Sequence, residues 1–188
     1  NYRLATTTDQ RTLGLPEVQL GLHPGFGGTI RAVKLLGVRQ AMPLILTGKS
    51  IRPSMAKKIG LVDGLVRQAD WRTASEKLVR SPPTRQSAPF VDRLLNMAPL
   101  RTIFAPILRR QTAKQVRIDF YPAPFAIIDL WHKHGARGDA AYEAEADSAE
   151  AVIARLNATR PERQQSDALN KRTGRVWVFE QIGPSHEA

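Results

Sequence analysis

No cysteine occurs among the 188 residues, which removes disulfides, thiolate metal sites, iron–sulfur clusters and cysteine nucleophiles in one step. Any chemistry must use carboxylates, histidines, hydroxyls or backbone amides. No apolar run approaches the roughly 20 residues that cross a hydrocarbon core, because charges or prolines interrupt each one, including the longest near Met42 to Leu46. No transmembrane segment is expected. Aromatics are sparse, at three Trp, three Tyr and six Phe, and they do not interleave with the arginines as a base-stacking platform would. Acids are also in short supply: 17 Asp+Glu stand against 28 Lys+Arg, a formal net charge of +11 that attracts anions. The basic residues are scattered rather than gathered into a tract, so nucleic acid is not expected as a partner. Asn1 brings neither an initiator Met nor an apolar leader, yet Tyr2 to Thr6 already alternates like a strand, and the expectation is a domain entered midway.

What is present fits a globular chain, with 42% hydrophobic and 24% charged residues. The pattern divides it into residues 1–80, 81–160 and a tail of uncertain structure over 161–188. The first part reads as α/β. Tyr2 to Thr6 and Thr12 to Leu15 suggest strands, joined by a polar turn from Thr7 to Arg11. Thr29 is expected to cap a helix that Gly37 stops, and a second helix is expected from Arg39 to Leu46, with Pro43 tolerable only in its first turn. Pro53 and Gly60 bracket a third helix. Leu61 to Val66 reads as a strand, and Asp70 as the cap of a helix that turns Trp71, Ala74, Leu78 and Val79 inward. After the connector at Ser81 to Pro89 the pattern is helical throughout, over Phe90 to Met97, Leu100 to Ile118, Pro122 to His134 and Asp139 to Thr159. Pro106 should kink or split the second of these, and Tyr142, Ala149, Ile153 and Leu156 mark the inner face of the last. Val176 to Phe179 is an apolar patch in a polar tail.

Two phosphate-loop motifs fail on inspection. Thr47-Gly48-Lys49-Ser50 ends like a P-loop, but Pro43 stands where that motif needs its first Gly. Gly25-Phe26-Gly27-Gly28 begins like a dinucleotide fingerprint, but its third Gly position is Ile30. The glycines still suggest a loop that takes unusual angles and offers free amide hydrogens at the next helix. His23 is the one histidine beside that loop, whereas His132 and His134 lie on different faces of one helix. Glu17 is the only acid between Asp9 and Asp63, set among apolar residues in a stretch stiffened by Pro and Gly. Such a setting makes a Glu usable as an acid or base near neutral pH; a surface Glu in a turn is the plainer alternative.

The run from Gly14 to Thr29, GLPEVQLGLHPGFGGT, resembles the signature of the crotonase (enoyl-CoA hydratase/isomerase) superfamily. Leu46-Thr47-Gly48-Lys49 and Ala56 to Asp63 match the same family in order and approximate spacing. Tyr121 to Pro124 and Ala141 to Ala146 look like the helical segment after the hydratase domain of a multifunctional fatty-acid β-oxidation subunit. The resemblance implies a partial ββα spiral followed by an all-helical segment. It implies Glu17 as the catalytic residue exchanging a proton at the substrate α-carbon, and Gly25, Phe26 and Gly27 as shapers of the acyl pocket. An acyl-CoA thioester is the implied substrate, and a thiolase subunit a partner. No cofactor is implied in this chain, though NAD is for a dehydrogenase domain beyond it, and the implied compartment is bacterial cytoplasm, with mitochondrion or peroxisome as alternatives. A second catalytic Glu and the amides that hold the thioester oxygen belong, by the same resemblance, to sequence before Asn1. The isolated chain is therefore expected to be inactive or nearly so, and poorly soluble. The rival readings are an enoyl-CoA isomerase, which needs a single carboxylate, a non-catalytic crotonase remnant, and a basic binding module using Arg109, Arg110, Lys114 and Arg117.

Overall fold

The structure is a computed structural model that describes residues 2–7, 12–82 and 87–158. The turn at residues 8–11, the connector at 83–86 and the tail at 161–188, with its Val176 to Phe179 patch, lie outside the described residues. Strand β1 (Leu4–Thr6) pairs in parallel with β2 (Gly64–Val66), placing Leu4 opposite Gly64 and Thr6 opposite Val66. Between them run a 3₁₀ turn (Pro16–Leu20) and helices α1 (Gly28–Leu36), α2 (Val38–Thr47) and α3 (Pro53–Ile59). After β2 come a 3₁₀ turn (Gln68–Asp70), α4 (Trp71–Arg80), α5 (Phe90–Leu95), α6 (Ala98–Ala113), α7 (Ala123–His134) and α8 (Asp139–Ala158). Among the described residues, an α/β portion is thus followed by helices alone.

One core spans both portions. Ile30, Val33 and Leu36 of α1 and Ala41, Met42 and Ile45 of α2 pack with Ile127, Ile128 and Trp131 of α7, all nearly inaccessible to water. The Trp131 indole N–H donates to Asn96 Oδ1 at 3.0 Å, so the deepest aromatic carries no unpaired donor. Two ion pairs fasten the periphery. Asp92 of α5, buried, accepts hydrogen bonds from the backbone N–H of Arg39 (3.0 Å) and from its guanidinium (2.9 Å at Oδ2). Arg3 and Asp63 clasp the strands: the Arg3 backbone N–H reaches Oδ2 at 2.7 Å, its Nη2 reaches Oδ1 at 2.9 Å, and the Asp63 N–H returns to the Arg3 carbonyl at 2.7 Å.

Several expectations need correction. Thr12 to Leu15 forms no strand; only Leu13 pairs, in an isolated antiparallel bridge with Ile51, because Pro16 starts the 3₁₀ turn. The strand expected from Leu61 begins at Gly64, since the N–H groups of Leu61 and Val62 turn back to the Ala56 carbonyl and close α3. Thr29 lies inside α1, whose cap is Gly27. Pro43 sits past the first turn of α2, and Pro106 leaves α6 unbroken. Both are exposed, so the carbonyl each frees can turn to water. On α4 none of the four expected inward residues is buried, and Val79 is 78% exposed, because the helix leans mainly on the short Gln68–Asp70 turn. Asp70 stands at its N-cap position but accepts from Arg67 Nε at 2.6 Å instead of capping. On α8 the buried residues are Ala141, Glu145 and Val152, whereas Ile153 is exposed.

The Arg3 side chain hydrogen bond, aided by its backbone N–H and positive charge, holds the Asp63 carboxyl below the ordinary carboxylate range despite partial burial. A folded-state value below the unfolded one, about 3.9 for Asp, means the clasp stabilises fully above that pH and fades as pH falls through the folded value. In urea titrations, Asp63→Asn should lower the midpoint at pH 7, and the gap between variant and parent should narrow as pH is taken from about 5 to 3. A pH-independent gap would show that the carboxylate charge plays no part.

Candidate functional site

The segment carrying Glu17 is stiffened at both ends. Pro16 sits in the opening of the 3₁₀ turn with its φ already set. Gly21 closes the turn at φ +81, and its N–H meets the Val18 carbonyl at 3.0 Å, while the Leu22 N–H meets the Glu17 carbonyl at 3.1 Å. Val18, with no exposed surface, anchors the turn in the core. Gln19 Nε2 donates to the Gly48 carbonyl at 2.7 Å, seating the turn on the end of α2. Gly48 has φ +65, and a Cβ there would stand 2.8 Å from Gln19 Cγ, so only glycine permits this seat. The Thr47-Gly48 pair, which looks like half a P-loop, is therefore the shelf for the Glu17 turn.

Glu17 itself is half-buried. Its Oε2 is shut off from solvent and has no hydrogen-bond partner among the described residues. Leaving such an acceptor unsatisfied costs about 1–3 kcal/mol, and natural structures keep few of them. A rigid turn that presents a bare carboxylate oxygen in a dry setting is an arrangement able to take or give one proton.

The glycine loop follows. Gly25 has open space where a Cβ would be. Phe26 takes φ +54 and turns its ring wholly to solvent, and Gly27, buried at φ +80, comes so close to Tyr142 that a Cβ would stand 2.5 Å from the ring. These three residues lie in one turn after the Glu17 segment, and of them only Gly27 is buried against the protein. His23, also buried, places Nδ1 3.0 Å from the Pro24 carbonyl, to which it can donate, and its Nε2 has no hydrogen-bond partner among the described residues.

The amide hydrogens expected to be free at the start of α1 are occupied. Glu145 of α8, 1% exposed, accepts from the Gly27 N–H with Oε2 and from the Thr29 N–H with Oε1, the latter at 2.9 Å. A carboxylate at a helix N-terminus is favoured by the helix dipole and by charge-assisted hydrogen bonds. It also leaves no room for a second anion, so the loop does not fit a dinucleotide pyrophosphate. Sequence reasoning missed Glu145. The available signal was an acid on the same helical face as Ala141 and Val152, at spacings of four and seven. Of the residues suggested for a basic module, Arg109 is bound to Asp129 at 2.8 Å and Arg117 lies 3.5 Å from Asp119, so half of that patch is internally compensated.

Glu145→Ala strips partners from two enclosed N–H groups and should cost about 2–4 kcal/mol of stability. Glu145→Gln, which keeps one acceptor oxygen, should cost less. Urea unfolding of the two variants checks both, and equal stability of Glu145→Ala and parent would refute the link.

With this geometry in place, comparison with known proteins is informative. The family described as enoyl-CoA hydratase/isomerase matches residues 3–92. The fatty acid oxidation complex subunit alpha of Shewanella amazonensis is 38% identical over 159 residues, which is 82% of this chain and 22% of that protein. In three dimensions the chain is similar to an enoyl-CoA hydratase from Rhodobacter sphaeroides, with a TM-score of 0.50 and 22% identity over 88% of this chain and 55% of that one. At that identity the likeness speaks for the fold alone. The matched segment contains Glu17, its shelf and the whole glycine loop, and residues 3–92 thus belong to the enoyl-CoA hydratase/isomerase family of the crotonase superfamily.

Proposed function

We propose that the chain forms the Glu17-bearing portion of an enoyl-CoA hydratase in a multifunctional fatty-acid β-oxidation protein. The bare, enclosed Oε2 of Glu17 carries this reading. When water adds across the 2,3 double bond of a trans-2-enoyl thioester, the oxygen bonds to C3 and a proton must arrive at C2 while negative charge builds on the thioester oxygen. Glu17, protonated, delivers that proton and is left as a carboxylate, while the proton given up by the attacking water passes to a second base, the role the family resemblance gives to another Glu; in the reverse direction the Glu17 carboxylate removes the C2 proton. A positioned carboxyl of this kind contributes roughly 10² to 10⁴ fold by general acid–base catalysis. The larger electrostatic stabilisation, about 3–4 kcal/mol for each oxyanion donor in a comparable hole, is a task for backbone amides other than those of Gly27 and Thr29, which Glu145 occupies. The name of the Shewanella relative supports a place in a fatty acid oxidation complex; acyl-CoA substrates, a thiolase subunit as partner, cytoplasm as compartment and NAD for a dehydrogenase domain of the intact protein belong to the same proposal and come from the family resemblance.

A chimera tests the role of Glu17. Residues 3–92 replace the corresponding stretch of the Shewanella subunit, and crotonyl-CoA hydration is compared with and without Glu17→Gln. The expected loss is roughly 10² to 10⁴ fold in kcat with little change in KM. Equal turnover by the two chimeras would rule out Glu17 as the proton carrier.

A further inference from the structure

Three buried side-chain atoms among the described residues lack hydrogen-bond partners: Glu17 Oε2, His23 Nε2 and Arg101 Nε. The first belongs to the acid–base site and the second abuts the glycine loop. Arg101 lies elsewhere, on α6, and is only 8% exposed. No carboxylate among the described residues comes within salt-bridge distance of it. Burial, and then the positive charge of Arg137, weaken its hold on its proton. Its guanidinium packs against Gly135, at φ +63, where a Cβ would overlap it and would also stand 3.2 Å from Asn96 Oδ1.

Asn96 and Arg137 line an adjoining cavity of about 180 Å³, together with Lys34, Arg93 and Asp92. Asp92, the acid of this lining, has both oxygens engaged by Arg39. Three exposed cationic residues therefore border one small space, next to the buried Arg101 whose Nε has no hydrogen-bond partner. A largely buried guanidinium whose Nε has no hydrogen-bond partner is held at a cost, and an anion seated beside it lowers that cost. Guanidinium groups match phosphate oxygens two at a time. The cavity falls short of the 300–1,000 Å³ typical of pockets for drug-sized ligands, which suits a single tetrahedral group and not a nucleoside.

We infer that the cavity between α1, α5 and the segment after α7 is a binding site for a phosphate-type oxyanion, held by Arg137 of its lining and by Arg101, which adjoins it beside Gly135 and Asn96. The group is either free phosphate or the phosphomonoester end of a larger molecule. This inference does not depend on the role of Glu17.

The test is thermal unfolding of the full chain in inorganic phosphate against chloride at matched ionic strength. At ten times its Kd, phosphate should raise Tm by roughly 3–6 °C, and Arg101→Met and Arg137→Ala should each abolish the rise. Arg101→Met should also melt above the parent when phosphate is absent, since it removes an unpaired buried charge. If Arg101→Met fails to fold, Arg137→Ala, which alters an exposed side chain, decides the matter alone. No phosphate-specific rise in the parent, or a rise that survives in the variants that fold, overturns the site. Phenyl phosphate in place of inorganic phosphate separates the two sources: an equal rise indicates a phosphomonoester end, and no rise indicates the free ion.

Discussion

The N–H groups of Gly27 and Thr29 end on the carboxylate of Glu145, more than a hundred residues further along the chain, and the arrangement of the site depends on that meeting. The loop before α1 has positive φ at Phe26 and Gly27, which strands backbone donors inside the protein. Water does not reach them, and no nearby side chain supplies an acceptor; Thr29 spends its own hydroxyl on the Pro24 carbonyl. Glu145 meets the need from α8, while Tyr142, one turn earlier, covers Gly27 and lies under the Arg31 guanidinium at 5.9 Å. The crotonase-like portion and the helices after it thus share a buried polar contact as well as an apolar core. The shape of the loop behind Glu17 is consequently set by a helix outside the segment that matches the hydratase family.

Much of the helical layout was legible because glycine and proline punctuate it. Gly37, Gly48 and Gly60 end their helices as their positions suggest, and Pro53 opens α3. The α7 helix was legible from its apolar density. The strands were harder: Leu13 has helix- and strand-compatible neighbours, and what stops it from continuing as a strand is the turn imposed by Pro16. For α4 the amphipathic pattern was real, but a pattern states what a helix is able to bury and not whether anything arrives to cover it. Glu17 stood out by isolation among apolar residues, a local property. Glu145, Asp92 and Arg101 did not stand out, because the meaning of each lies in a neighbour far away in sequence: Gly27, Arg39 and Gly135 respectively.

The electrostatics follow a consistent logic despite the large positive charge. Where acids are buried, they are fully used: Asp92 holds Arg39, Asp63 holds Arg3, and Glu145 holds a helix start. Glu17 departs from that rule, with an oxygen shielded yet unspent. In a structure whose buried acids are otherwise satisfied, one shielded carboxylate oxygen without a partner is informative, and this contrast underlies the proposal that Glu17 carries the proton. Arg101 is the cationic counterpart.

The most direct test of the central contact is amide hydrogen exchange in the native full chain, read residue by residue. If Glu145 holds the loop, the Gly27 and Thr29 amides exchange as slowly as the core amides of α1 from Val33 to Leu36, opening only with global unfolding. Exchange of those two amides at the rate of an open loop, with α1 still protected, would contradict the account.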